Sequence, residues 1–288
     1  MPANHVENPL EYIFERFSWA ASDIGRAVAA PPRLHAAAAP QVRRIALSDL
    51  WASLREGLRD LGVARSDVLF IALIYPIAGL VIGRLAFNLN MLPLVLPLLS
   101  GFALLGPLAA VGLYEISRRL EAGQAIHWST PFEVRKSPAL SSILGMGAIL
   151  GIIFLAWIAV AWGIYAATLG PQPPASFSSF LHDVFTTGAG WAMIVIGVGV
   201  GFLFAAFTFS ISAISFPLML DRDVGVGEAM RTSLRAVAAN PVPMAVWGFV
   251  IAAALILGSI PALAGLIFVM PLFGHASWHL YRRLVGEV

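Results

Sequence analysis

Apolar stretches long enough to cross a bilayer recur along this chain, and no other feature constrains its fold as strongly. They occupy residues 68–87, 92–114, 139–169, 188–220 and 244–279. A helix needs ~20 residues to cross the ~30 Å hydrocarbon layer, and each stretch has that length. The last holds 36 residues, roughly 54 Å as one helix at 1.5 Å per residue. It must break, and "GSIP" at 258–261 is the punctuation that fits, leaving spans 244–258 and 261–279. The expected fold is therefore all-α, a bundle of six transmembrane helices. Composition agrees. Hydrophobic residues make up 59% of the chain and charged ones 12%, against about 45–50% and about 25% in soluble domains. A protein surrounded by water could not hide that much apolar surface.

The basic residues divide the chain into sides. Eight arginines precede the first stretch, four basic residues follow the second, three follow the fourth, and Arg282 and Arg283 close the last. The alternate connections hold none, and only Arg84 stands apart. Loops rich in arginine stay in the cytoplasm. Both termini are thus expected there, with an even number of spans. A nucleic-acid partner would need one contiguous basic face, and these arginines are scattered over loops instead.

The ends of two stretches repeat. "GPLAAVGLYEISRRL" from Gly106 and "MPLFGHASWHLYRRL" from Met270 align at an offset of 164 residues. Pro107 falls on Pro271, Tyr114 on Trp278, and Arg118-Arg119 on Arg282-Arg283. Aromatic rings favour headgroup depth and arginines resist crossing, so these residues are expected to anchor helix ends at the interface. A second repeat sets Ser53-Leu54-Arg55 on Ser233-Leu234-Arg235, 180 residues apart. The unit implied is a cytoplasmic amphipathic helix plus a hairpin of two spans, present three times. "IALSDLWASLREGLRDL" is the first such helix, with Leu47, Leu50, Trp51, Leu54, Leu58 and Leu61 on one stripe; helices of this kind lie in the headgroup plane. "STPFEVRKSP" is a shorter version, in which Thr130 and Glu133 have the spacing of a capping box.

Residues 1–44 form a separate cytoplasmic segment. Leu10, Ile13, Phe14, Phe17, Ile24 and Val28 mark an amphipathic helix, followed by an alanine/proline linker. Residues 45–284 make the membrane domain and 285–288 a short tail. The acidic residues among the first 20 argue against a cleaved signal peptide.

Chemistry is sparse. Without cysteine, disulfides, iron–sulfur clusters and thiolate metal sites are excluded. Gly197, Gly201, Ala205, Thr208, Ser212 and Ser215 follow one face of the fourth span. That stripe suits close helix packing or a polar path. His275 and His279 are one helical turn apart and could share a metal, although two histidines are too few for a zinc site. Interfacial histidines bonded to Glu115 or to backbone are the plainer alternative. His182-Asp183 reads as part of a short surface helix. No nucleophile motif, P-loop or intramembrane acidic pair is present, so no enzyme and no cofactor is expected.

The stretches "DVLFIALIYPIAGLVIGRLAF", "SGFALLGPLAAVGLYEISRR", "FTTGAGWAMIVIGVGVGFLFA", "FPLMLDRDVG", "RAVAANP" and "GHASWHLYRR" together resemble a family of bacterial integral membrane proteins, domain of unknown function 2189. The resemblance covers roughly residues 40–284. It implies an inner-membrane location and supplies no activity. The expected role is a non-catalytic accessory, assembly or scaffold component whose partners are the lipid bilayer and other membrane proteins or further copies of itself. A small-solute or ion transporter is the alternative, and metal or haem binding at His275 and His279 a remote third.

Overall fold

A computed structural model describes residues 40–64, 77, 79–81, 84, 91–127 and 129–286. The N-terminal amphipathic segment and most of the first apolar stretch lie outside them. The described residues are helical, without a strand, in the order α1 (Leu47–Val63), a 3-10 turn (Leu92–Leu94), α2 (Val95–Leu104), α3 (Gly106–Ala109) and α4 (Val111–Glu121). A second 3-10 segment (Thr130–Lys136) leads to α5 (Leu140–Thr168), α6 (Phe177–Thr186), α7 (Gly188–Ser212) and α8 (Ser215–Arg222). The chain ends in α9 (Val226–Ala239), α10 (Pro241–Ser259) and α11 (Leu266–Leu284).

Among the described residues three helical segments are long and apolar enough to cross a membrane: Leu140–Thr168, Gly188–Arg222 and Pro241–Ser259. Their outer surfaces present Leu144, Ile152, Leu155 and Trp162, then Trp191, Val195, Phe202 and Leu203, then Phe249, Ile256 and Leu257 to the surroundings. Contiguous apolar faces of that size need a lipid neighbour. α6 carries His182 and Asp183 on a short helix capped by Ser176, whose side chain accepts from the Ser179 N–H at 3.0 Å.

Prolines shape several of the apolar helices. Residues 92–114 are divided at Leu105 and Ala110, next to Gly106-Pro107. The fourth stretch breaks at Ala213 and Ile214, because Pro217 has no N–H for the Ala213 carbonyl and its ring crowds that turn. Pro217-Leu218 thus supplies a third copy of the Pro107-Leu108 and Pro271-Leu272 pairs, one that the arginine-based alignment did not show. Ser233 on α9 repairs this break. Its hydroxyl donates to the Ser210 carbonyl at 2.9 Å and faces the Ile214 N–H at 3.5 Å, the two groups an unbroken helix would have joined. Ser233→Ala is expected to cost about 1–3 kcal/mol by orphaning them, read as a lowered thermal midpoint in detergent. The exposed Ser48→Ala should leave that midpoint unchanged; equal midpoints in both variants would refute the repair.

The long last stretch does break, a few residues later than its punctuation. α10 runs on to Ser259 and turns occupy 260–265, with Ala262 and Leu263 in the left-handed region at φ 49° and 68°. Gly258 and Gly265 close this turn: a Cβ on Gly265 would stand 2.7 Å from the Gly258 Cα. The capping box at Thr130 does not form. Ser129 is the N-cap residue, the Thr130 hydroxyl accepts from the His127 N–H at 2.9 Å, and Glu133 is drawn away by Arg119.

The described amphipathic segments pack on other helices of the fold. The 3-10 segment Thr130–Lys136 lies on α4, α9 lies on α7 and α8, and α1 closes the circle on α11. α4, α8 and α11 also touch one another. The deepest core is here, around Leu113, Ile116, Phe216, Leu218, Trp247, Trp278 and Tyr281, rather than midway along the apolar helices.

Candidate functional site

The polar residues of the fold converge where α1, α4, α8 and α11 meet. α1 does not lie apart as a free in-plane helix. It runs antiparallel along the polar half of α11, with Val42 paired to Val285, the Arg43 N–H donating to the Leu284 carbonyl at 2.8 Å, and Gly57 against Ala276. Its packed face is rotated from its apolar stripe. Leu50, Ser53 and Gly57 are buried, while Leu47, Trp51 and Leu58 of the stripe face outward.

Three groups of interactions hold this junction. In the first, Arg283 grips Glu56 with two parallel bonds of 2.7 and 2.8 Å, the bidentate geometry that makes guanidinium–carboxylate pairs strong. The Arg283 guanidinium holds the Glu56 carboxyl below its usual value of 4.5, and Glu56 in turn raises Arg283. Because the folded value is the lower one, the pair contributes fully above the usual carboxylate range and fades as pH falls through the lowered value. The midpoint of the wild type is therefore expected to fall more steeply than that of Glu56→Gln on acidification below about 4.5; parallel curves would refute the coupling.

Asp60 organises the second group. Its Oδ2 accepts from the Ser117 hydroxyl at 2.6 Å and meets His279 Nε2 at 2.8 Å, while His279 Nδ1 lies 3.4 Å from Glu56. Ser117 also contacts His275 Nδ1 at 2.8 Å. A carboxylate has no hydrogen to give, so Ser117 gives its only one to Asp60 and its oxygen accepts from His275 Nδ1–H. His275 is fully buried and its Nε2, left with a bare lone pair, meets no hydrogen-bond partner among the described residues. Nitrogen-15 spectra of histidine-labelled protein are expected to show the Nδ1–H tautomer for the resonance that disappears in His275→Gln. An Nε2–H form would overturn this assignment.

The third group joins α4, α8 and α11. Trp278 Nε1 donates to Glu121 at 2.8 Å, Arg282 Nε donates to the same carboxylate at 3.0 Å, and the Tyr281 hydroxyl donates to Asp221 at 2.6 Å. Nearby, the buried Glu115 accepts from Arg118 at 2.8 Å and Arg119 at 2.7 Å, and Arg119 reaches on to Glu133 at 2.5 Å.

These placements refine the candidate residues. The structure turns Tyr114 and Trp278 inward, 3% and 1% exposed, instead of setting their rings among headgroups. Burial of Leu113, Ile116 and Tyr281 around the same helix ends shows why: protein, not lipid, surrounds the repeated motif. Arg118, Arg119, Arg282 and Arg283 all engage carboxylates. His275 and His279 do not offer their nitrogens to a common point, since both His279 nitrogens face carboxylates. Among the described residues no group of three or more histidine, aspartate and glutamate side chains is arranged to hold a metal ion. The stripe on the fourth span is not one packed face. Thr208, Ser212 and Ser215 are buried, Gly201 meets Trp157, Ala205 is exposed, and a Cβ on Gly197 would meet open space. The Ser212 and Ser215 hydroxyls bond the Thr208 and Ile211 carbonyls of the same chain segment, whereas the Thr208 hydroxyl has no partner among the described residues. Asp60, Glu56 and Ser117 were missed as site residues, because each looks like an ordinary helix-face residue until its neighbours are known.

Apolar helices of crossing length with lipid-facing surfaces define a helical integral membrane protein. Residues 95–221 match the family described as predicted integral membrane protein, domain of unknown function 2189. That stretch runs from the start of α2 into α8, and so includes Ser117 and Asp221 but not Asp60, His275 or Arg283. No curated protein and no solved structure matches the chain.

Proposed function

We propose that the protein is a multi-pass component of the bacterial inner membrane with a non-catalytic accessory, assembly or scaffold role. The carrying observation is the junction itself. Its carboxylates and guanidinium groups are engaged with one another, and Ser117, which lies between Asp60 and His275, is fully buried, an arrangement suited to holding helices rather than turning over a substrate. Six spans in three units, with both termini in the cytoplasm, remain the reading we favour. The circular packing of α1 on α11, Thr130–Lys136 on α4 and α9 on α7–α8 supports it, since three equivalent units would make equivalent contacts. The chain has no cysteine, so single-cysteine variants report topology cleanly. Gln124→Cys and Gly225→Cys should react with an impermeant maleimide from one face of sealed vesicles and Gln172→Cys from the other; any other pattern refutes the six-span reading. Purification from native membranes in mild detergent should bring partner proteins along, and a partner-free particle would count against the accessory role.

The unpartnered Thr208 hydroxyl, buried in a long apolar helix, favours transport as a second reading. Flux through reconstituted vesicles that falls in Thr208→Val would support it.

A further inference from the structure

We infer that the outward edge of α1 is a contact site for anionic phospholipid headgroups. The inference rests on the membrane character of the chain and not on the number of spans. Leu47, Trp51 and Leu58, at 53%, 65% and 51% exposure, fall within one narrow sector of the helix, spaced four and seven residues apart. Arg55 and Arg59 are exposed on the adjoining sector, and among the described residues neither side chain has a hydrogen-bond or ion-pair partner. In sequence α1 looks balanced, because Asp49, Glu56 and Asp60 offset its two arginines. Folding separates these charges. Glu56 and Asp60 turn toward Arg283 and His279, and Asp49 caps the helix by accepting from the Ala46 N–H at 2.7 Å. The surface left outside is apolar along one line and cationic along the next.

That pairing is the form of an amphipathic helix seated at the boundary between headgroups and acyl chains. Tryptophan suits this depth because its ring is apolar and its N–H is polar, and arginine can lay its stem along apolar surface while its head reaches phosphate. α1 is also close to the bilayer, since the apolar stretch beginning at residue 68 follows it within a few residues. A second copy of the chain or a soluble partner would have to match both sectors. An anionic leaflet does so without further design, adding about 1 kcal/mol, or about fivefold in occupancy, for each arginine near its surface.

The test uses the full chain with single cysteines at Trp51→Cys and Leu58→Cys, and Gln124→Cys as an exposed control. Each is labelled with bimane and reconstituted into phosphatidylcholine vesicles containing phosphatidylglycerol. Nitroxide quenchers are carried on one lipid or the other at equal mole fraction. Bimane at 51 and 58 should be quenched by lipid-borne nitroxide and bimane at 124 should not. Quenching by nitroxide phosphatidylglycerol should exceed that by nitroxide phosphatidylcholine several-fold. That excess should vanish in Arg55→Gln/Arg59→Gln or in high salt. Lipid quenching without an excess leaves the edge apolar but not anion-selective and overturns the proposal. So does quenching only by aqueous iodide, or disulfide cross-linking of Trp51→Cys between copies. Because the topology experiment reads sidedness at positions 124, 172 and 225 and this one reads lipid contact at positions 51 and 58, its failure is distinguishable from failure here.

Discussion

Replacing Gly57 with alanine is expected to destabilise the protein, the reverse of what the same change does in most helices. In an open helix interior alanine is better than glycine by about 1 kcal/mol. At Gly57, however, the new Cβ would stand 2.6 Å from the Ala276 nitrogen and 2.8 Å from its Cα and Cβ. Backbone atoms cannot swing aside, so α1 must move off α11, at a cost of about 1–3 kcal/mol typical of overpacking. Displacing α1 also lengthens the Glu56–Arg283 and Asp60–His279 contacts, which share that interface. The thermal midpoint in detergent should fall by about 5 °C, given about 2–4 °C for each kcal/mol in a chain of this size. Gly62→Ala is the internal control, for nothing lies within 4 Å of a Cβ there, and it should be neutral or stabilising. If both variants behave alike, α1 does not pack on α11 as described.

The second large effect is expected at Asp60. One carboxylate oxygen satisfies both Ser117 and His279, and the Asp60 and His279 side chains are each only 14% exposed. Asp60→Ala removes the acceptor from both and strands Ser117 beside His275. Breaking one partner out of a buried pair costs about 3–5 kcal/mol, so Asp60→Ala should be among the most damaging substitutions outside the apolar core. Asp60→Asn keeps the volume and one acceptor oxygen, and should fall between the alanine variant and wild type. A double-mutant cycle of Asp60→Ala with Ser117→Ala tests the mechanism, since contacting residues couple by about 0.5–3 kcal/mol. Additive losses would mean that the two side chains do not act as one unit.

Much of the architecture is legible before folding is considered. Apolar length alone marks α5, α7 with α8, and α10, because transfer of a helix into lipid depends on a window of about 20 residues and on little else. The break in the last stretch follows from the same length argument, and Gly258 and Pro261 locate it to within a few residues. Proline effects were legible only in part. Pro107 and Pro271 stood out through the arginine pairs that follow them, whereas Pro217, followed instead by Asp221 and Arg222, was not connected to them. Helix period correctly makes α1 amphipathic but misjudges which face it buries, since a moment records only where apolar residues lie. At Gly57 the smallest side chain, not the most hydrophobic, decides the contact.

The sequence by itself determined the solvent of this protein, the segments that lipid accepts, and the clustering of guanidinium groups at helix ends. These are properties of short windows, so composition and spacing suffice. The tertiary structure alone decided which carboxylates Arg282 and Arg283 meet, that Tyr114 and Trp278 face protein, and that α1 shows arginines outward while its acids turn in. The hydrogen bonds of Arg282 and Arg283 to carboxylates join residues 61 to 227 positions apart, and nothing in either partner's local sequence encodes the distance between helices that brings them together.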